Sequence, residues 1–491
     1  MILQVWSLAF SLFQLFSLNP LNSNESKFYF YNYENVLGTS FQLKVSSGSE
    51  KNADYAELVA LNEIDRLTGI LSTYDPSSEV SLWQKQPNVE TKVSPELFEV
   101  LNLFDIWQDK TYGAISTSVG TATRLWKNAQ ASQMKPGEED LRKAAQSMVQ
   151  PQWKLNPANR TAIKLTNQPI VLNSFVKSYI IKKVAGKLLD LPGVQGVVVN
   201  IGGDLVIAGN QQEIIGISNP ASDAENGLPV STLLLKERAI ATSGNYRRGF
   251  QINSQWYSHI IDPRTAYPTD HILSATVIAK NATDAGALAT AFNVLQPAES
   301  EALALTIPGI EYQLITANGE ILESDGWRKF EMLESDQFNA ALFTMAQPKL
   351  TLEFELATFE GRFRRPFVAV WVENKKKETV KTLALWYNKP RWLPDLKRWY
   401  SNNQAVLRDS IAKASISSAT RSAGKYTLSW DGLDANGKAV PNGKYTFYIE
   451  AAREHGTYQL LKQEIEWNGQ PAHFDLKGGI EITSASLTIL K

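Results

Sequence analysis

The 491-residue chain contains no cysteine. That excludes disulfides, thiolate metal sites, a cysteine nucleophile and the lipid-anchored cysteine of bacterial lipoproteins. Histidine is nearly as scarce, with four in the whole sequence, so imidazole chemistry has few places to occur. Neither sign of charge dominates: 49 Lys and Arg stand against 50 Asp and Glu. A net charge of −1 argues against a dedicated binder of nucleic acid or acidic surfaces. Long hydrophobic runs are missing too. The most apolar stretch, residues 2–18, is interrupted by Gln4, Ser7, Ser11 and Gln14, which argues against a transmembrane span. It has the apolar centre of an export signal, but no Lys or Arg precedes Lys27 and no clear cleavage site follows. Residues 1–24 are read as a signal peptide or an N-terminal extension.

The length suggests roughly two to four domains, and 43 per cent apolar residues give ample core-forming sequence. Alternation over residues 28–45 predicts strands around a Val36-Leu37-Gly38-Thr39 turn. Residues 54–71 read as an amphipathic helix, with Leu58, Leu61, Ile64, Leu67 and Leu71 at helical spacing. Residues 94–108 read as a helix capped by Ser94, and residues 176–189 as a third helix that runs into a strand over 196–201. A strand at 274–279 leads into a helix over about 282–295.

Beyond about residue 347 the pattern turns predominantly β, with strands expected at 350–356, 367–373, 379–386 and 426–430. Short strands separated by Gly, Asn and Asp turns predict a β-sandwich. Trp386, Trp392 and Trp399 are read either as a partner-binding surface or as sandwich core. Trp371 and Trp430 are read as core.

Four segments carry candidate chemistry. Asn200-Ile201-Gly202-Gly203-Asp204 follows an apolar strand, and paired glycines let backbone amides approach a ligand, often an anionic one. The same sequence also suits an ordinary hairpin. Thr242-Ser243-Gly244 is a second small-residue turn. Ser72-Thr73-Tyr74-Asp75-Pro76, followed by Ser78, is a polar turn. His259-Ile260-Ile261-Asp262-Pro263-Arg264-Thr265-Ala266-Tyr267-Pro268 gathers an imidazole, a carboxylate, a guanidinium and a hydroxyl in one proline-stiffened turn. His259 is read either as a general base or as a hydrogen-bonded structural histidine, and Asp262 with Arg264 either as an ion pair bracing the turn or as direct participants in catalysis.

In order and spacing these segments, with Leu37-Gly38-Thr39, Val176-Lys177-Ser178-Tyr179 and Ala287-Leu288-Ala289-Thr290, resemble the ApbE family of FAD:protein FMN transferases. The resemblance runs from about Tyr31 to Trp327. It implies an α+β fold at residues 25–346, followed by a mainly β, sandwich-like domain at 347–491. It implies an enzyme that uses Mg²⁺ to move the FMN phosphoryl group of FAD onto a Ser or Thr hydroxyl of a target flavoprotein, with release of AMP. The alternatives are an FAD pyrophosphatase or a non-catalytic FAD-binding protein. His259 is the implied base. Leu37, Gly38, Thr39, Tyr74, Ser78, Lys177, Gly202, Gly203, Asp204, Thr242, Ser243, His259 and Ile260 are the implied FAD contacts. Tyr74 either stacks on the flavin or sits in the core.

The implied cation site departs from the family pattern. Family members place an Asp four residues before the Thr of Ala-Leu-Ala-Thr, and here that position is Gly286. Asp284 lies six residues before Thr290, about 600° around an ideal helix and off the shared face. The expected ligands are therefore Asp284, if the helix begins after it, Thr290 and the backbone carbonyl of Val176. The lysine motif usually continues with Gly, where this chain has Ser178. The C-terminal region looks like a domain of unknown function found with flavin-linked periplasmic redox proteins, and an exported location is expected.

Overall fold

The computed structural model describes residues 27–220, 229–245, 248–332, 350–360, 364–387, 390–403, 417–418, 421, 423–435, 437–454 and 456–490. The expected signal or extension at 1–24 and the expected boundary at 347 lie outside these residues.

The first part is built on a wholly antiparallel eight-stranded sheet. Its strands, in chain order, are β1 (Lys27–Val36), β2 (Thr39–Ser47), β6 (Val194–Ile201), β7 (Asp204–Ile217), β8 (Ser231–Gly244), β11 (Ile272–Ala279), β12 (Glu311–Thr316) and β13 (Ile321–Glu323), and they pair in that order. A small sheet of β3 (Glu90–Lys92), β4 (Trp153–Asn156) and β5 (Thr161–Lys164), and a hairpin of β9 (Gly249–Ile252) and β10 (Gln255–Ser258), lie outside it. The helices are α1 (Glu50–Leu71), α2 (Glu79–Trp83), α3 (Pro95–Lys110), α4 (Gly120–Ser132), α5 (Glu138–Met148), α6 (Val176–Leu189), α7 (Ala282–Val294) and α8 (Pro297–Leu305).

Helices α1, α3, α6 and α7 share one core with the large sheet, through Ile64, Leu67, Phe104, Tyr179, Val197, Val199, Leu288 and Phe292. The other sheet face packs Ile207, Leu233 and Leu235 on Trp327. The α1 helix starts at Glu50, four residues before the expected position, because Ser49 accepts a hydrogen bond from the Asn52 amide. Leu58, assigned to the apolar face, is 54% exposed, and alanines at 53, 56 and 60 make the contact instead. Ser94 caps α3 as expected, accepting from Leu97 N at 3.2 Å.

Two hairpins have two-residue turns. Leu37 (φ 53) and Gly38 (φ 67) join β1 to β2, and Gly202 (φ 65) and Gly203 (φ 103) join β6 to β7. Consecutive positive φ values are what a tight turn needs to match strand twist, and they explain the glycines.

The second part is a sandwich. One sheet holds β14 (Leu350–Leu356), β18 (Gly424–Trp430), β21 (Ala472–Leu476) and β22 (Ile482–Ile489). The other holds β15 (Phe367–Asn374), β16 (Thr379–Trp386), β17 (Ser417–Ser418), β19 (Gly443–Ala452) and β20 (Tyr458–Trp467). Trp386 and Trp430 lie between the sheets. A 3-10 turn at Pro390–Asp395 and helix α9 (Lys397–Asn403) cover the outer face, packing Leu393, Leu396 and Trp399 on Phe367 and Trp371. Trp386 and Trp399 are buried and Trp392 packs against the same outer cluster, so the partner-surface reading of the three gives way to core. Arg364 links the two parts: it bridges Tyr33, pairs with Glu454 at 2.9 Å and lies 3.9 Å from Glu57.

Candidate functional site

Both hairpin turns, the N-terminus of α6, the middle of α7 and the C-terminal end of β8 surround a cavity of about 740 Å³. That is within the range of ~300–1,000 Å³ typical of small-molecule sites. The sequence brings these elements together because β1–β2, β6–β7 and β8 are neighbours in one sheet, and α6 and α7 lie side by side across it.

Of the residues expected at a site, the structure places Leu37, Gly38, Thr39, Tyr74, Val176, Lys177, Gly202, Asp204, Thr242, Ser243, His259 and Thr290 on the cavity wall. Ser78, Gly203, Ile260 and Asp284 are not on it. Ser78 is the buried cap of α2, accepting from Ser81 N and donating to the Ser72 carbonyl. Ile260 is buried in the main core. The glycine amides, expected to face a ligand, are already used: Gly202 N donates to Ser40 O, and Gly203 N to Asn200 Oδ1, each at 3.0 Å. Gly202 lines the cavity as a turn that brings Thr39 and Asp204 close, rather than as an amide cradle.

Asp284 also departs from expectation. The α7 helix starts at Ala282, before it, with Asn281 as cap. Asp284 therefore follows the helix rotation away from the cavity, and the charges acting on it are those of Lys182 and Lys110. Val176 is the first residue of α6, so its carbonyl enters the helix ladder. The carbonyl that meets Thr290 is that of Ser174, which accepts from Thr290 Oγ1 at 3.0 Å.

His259 sits just past the end of β10. Its backbone N–H and its ring Nδ1 both meet the Arg248 carbonyl, each at 3.1 Å. A carbonyl only accepts, so Nδ1 carries the proton of the neutral ring and Nε2 keeps its lone pair. The residue is exposed. Partial desolvation lowers its pKa below the ordinary histidine value, and the Arg248 charge adds to this against the opposing carbonyl bond. The turn that follows is braced as expected: Arg264 Nε and Nη2 donate to Asp262 at 2.9 Å, and Asp262 also accepts from Arg264 N at 2.8 Å. The α4–α5 layer supports it, with Trp126 Nε1 donating to Ala266 O at 2.9 Å.

The charge of the cavity is mainly basic. Lys177 and Arg248 line it together with His259, and Asp204 is the one acid on its wall among the described residues. Burial lowers the Lys177 pKa, with Asp204 and Arg248 acting in opposite directions. Burial pushes the Asp204 carboxyl up to about 6, against the Ser178 hydrogen bond and the Lys177 charge. Tyr74 is 77% exposed, which removes the core reading, and its hydroxyl accepts from Asn173 Nδ2 at 2.7 Å. Two cations, an exposed ring at the mouth and small-residue turns suit a ligand with phosphates and an aromatic group.

Sequence reading missed Arg248 and Asn173. Arg248 stands just beyond the Thr242-Ser243-Gly244 turn, and its guanidinium is its only signal in the sequence.

Among the described residues no three acidic, His or Cys side chains cluster to hold a metal. Mg²⁺ does not require such a cage, because it commonly takes one or two carboxylates, several waters and the phosphates of its substrate. The wall offers the Asp204 carboxylate and the Thr290 hydroxyl, whose proton goes to the Ser174 carbonyl, as oxygen donors of that kind.

Residues 37–314 match the ApbE family, and residues 349–484 match a family described as a predicted periplasmic protein, DUF2271. The FAD:protein FMN transferase of Haemophilus influenzae is 29% identical over 278 residues, 53% of this chain and 79% of that protein. That of Escherichia coli K12 is 25% identical over 297 residues, 58% and 83% of the two chains. The crystal structure of the ApbE protein of Thermotoga maritima matches with a TM-score of 0.56 at 27% identity, over 62% of this chain and all of that one. The apo flavinyl transferase ApbE of Pseudomonas stutzeri matches with a TM-score of 0.54 over 63% and 98%, a likeness of fold at 22% identity.

Proposed function

Because the chain belongs to the ApbE family, with a match that spans more than half of it, we propose that it is an FAD:protein FMN transferase. The observation that carries this reading is the convergence of seven separate sequence motifs on one basic cavity with a neutral-leaning imidazole at its edge. FAD is the substrate. The oxygen of an acceptor Ser or Thr hydroxyl attacks the FMN-side phosphorus. The bond from that phosphorus to the bridging oxygen breaks, and AMP leaves with the electron pair. The hydroxyl proton passes to His259 Nε2, the nitrogen left free by the Arg248 carbonyl. Lys177 and Arg248 offset the negative charge on the phosphates and hold them in register for displacement. Tyr74 offers its ring to the flavin at the cavity mouth.

A bound Mg²⁺ would supply further charge neutralisation at the phosphate oxygens. The Thr290 hydroxyl and the Asp204 carboxylate are the side-chain oxygens on the wall that suit it. The acceptor is a separate flavoprotein carrying a Ser or Thr flavinylation site. The match of residues 349–484 to a predicted periplasmic family and the apolar residues 2–18 support an exported location. No described helix is long and apolar enough to cross a membrane.

The reading is tested by incubating the full chain with FAD, with and without Mg²⁺, beside an acceptor peptide, and following AMP and peptide mass. AMP release with an FMN-labelled peptide is expected. FMN and AMP released without labelling would mean that water is the acceptor, and unchanged FAD would contradict the enzyme reading.

A further inference from the structure

Gly286 and Thr290 lie one helical turn apart on α7, and both line the cavity. A Cβ built on Gly286 would fall 2.1 Å from Ser178 Oγ, 2.9 Å from Ser178 Cβ and 3.4 Å from Phe175 Cβ. Rotating the serine hydroxyl would relieve the first contact but not the second, because Ser178 Cβ is fixed to the α6 backbone. Ser178 is fully buried. The corner that a side chain at 286 would fill is therefore already taken by Ser178.

The Ser178 hydroxyl donates to Asp204 Oδ2. Asp204 enters this corner from the other side, on the first residue of β7 after the Gly202-Gly203 turn. The hydrogen bond sets the rotamer of the carboxylate, and no hydrogen bond from a described residue reaches its other oxygen. One oxygen is thus held and the other is available to the cavity. Asp284, the acid just before Thr290 in sequence, is off the cavity wall and under the charges of Lys182 and Lys110.

We propose that Asp204, oriented by Ser178, is the carboxylate that this chain presents to a divalent cation, and that Ser178 and Gly286 form a matched pair that prevents α7 from presenting one. The inference rests on the flavin-transferase reading and specifies its cation site. Ser178 is a positioning residue: it touches neither phosphate nor cation and acts through Asp204. The ligand class is a hard divalent cation completed by substrate phosphate oxygens.

The test uses Mn²⁺ as a paramagnetic probe, titrated by electron paramagnetic resonance into the full chain with FAD present. The proteins are wild type, Asp204→Asn, Asp284→Asn, and Asp204→Asn combined with Ser178→Gly and Gly286→Asp. Asparagine keeps an acceptor for the Ser178 hydroxyl, and circular dichroism melts verify folding. Asp204→Asn should weaken Mn²⁺ binding by at least about tenfold, while Asp284→Asn stays within about threefold of wild type. The triple variant, which opens the corner and moves a carboxylate onto α7, should recover most of the lost affinity. Wild-type affinity in Asp204→Asn, or loss in Asp284→Asn alone, would overturn the assignment. Flavin fluorescence quenching without metal, on the same samples, separates the two layers of argument. FAD binding with no Mn²⁺ uptake in wild type would overturn the cation assignment and leave the transferase fold-and-cavity reading standing. No FAD binding would overturn that reading itself.

Discussion

Gly286→Ala should destabilise the protein, although alanine is the better helix former. Propensity alone favours alanine by about 1 kcal/mol in a helix interior. The structure opposes it with a larger effect. The new methyl would fall 2.1 Å from Ser178 Oγ and 2.9 Å from Ser178 Cβ, in a buried contact between α6 and α7. Forcing such a group into a filled core costs about 1–3 kcal/mol. Displacing the serine hydroxyl also weakens its bond to Asp204, and a hydrogen bond to a charged group contributes about 1.5–3 kcal/mol. The net expectation is a loss of roughly 1.5–5 kcal/mol after the helix-propensity gain. Ser178→Gly removes both interfering atoms. In that background Gly286→Ala should be nearly neutral or slightly stabilising, giving a coupling of at least about 1.5 kcal/mol between the two sites. Urea unfolding of the four proteins, followed by circular dichroism, measures it. A Gly286→Ala protein as stable as wild type, or effects additive within about 0.5 kcal/mol, would refute the packing argument.

His259→Gln should lower turnover by roughly 10²–10⁴-fold while FAD affinity, read by flavin fluorescence, changes little. Equal losses in both would make the histidine structural. Wild-type turnover should rise with pH and level off below the ordinary histidine pKa of about 6.5, because desolvation holds His259 neutral. The sign follows from the role: the neutral ring accepts the proton, so activity is lost as pH falls through the lowered pKa. A midpoint at or above the ordinary value would contradict this. Tyr74→Ala should weaken FAD binding by about 0.5–1.5 kcal/mol, roughly two- to tenfold, if the exposed ring stacks on the flavin. An unchanged affinity would remove that role. Trp371→Ala should destabilise the sandwich by about 3–5 kcal/mol, since the ring is fully buried and stacks on Tyr448 at 4.7 Å. FAD binding should survive at temperatures where the sandwich remains folded, and parallel melting of both parts with early loss of FAD would show that they unfold as one.

Much of the architecture was legible because apolar spacing and turn chemistry agree. The α3 cap at Ser94 and the α6 span follow directly from local pattern. The glycine turn at 202–203 was legible as a turn, but not the fate of its amides. That depends on Ser40 and Asn200, and the Ser40 partner comes from a strand far away in sequence. Helix α5 escaped notice because its buried face is Leu141, Ala144, Ala145 and Met148, and alanine gives little hydropathy contrast. The α1 face was misjudged for a related reason: alanines pack closely while Leu58 points outward. Arg248 was invisible because nothing local marks a guanidinium as facing a cavity. The Asp284 expectation depended on where α7 starts, and Asn281 caps the helix before that residue. The relation between Ser178 and Gly286 spans more than a hundred positions and becomes readable only once α6 and α7 lie together.

The most direct test of the account is the stoichiometry of one reaction. Purified full-length protein is mixed with FAD, Mg²⁺ and an acceptor flavoprotein, and AMP is quantified beside the intact mass of the acceptor. The account predicts one AMP for each acceptor that gains an FMN phosphoryl group, with both products lost in His259→Gln. AMP formed in step with free FMN, and an acceptor of unchanged mass, would contradict it.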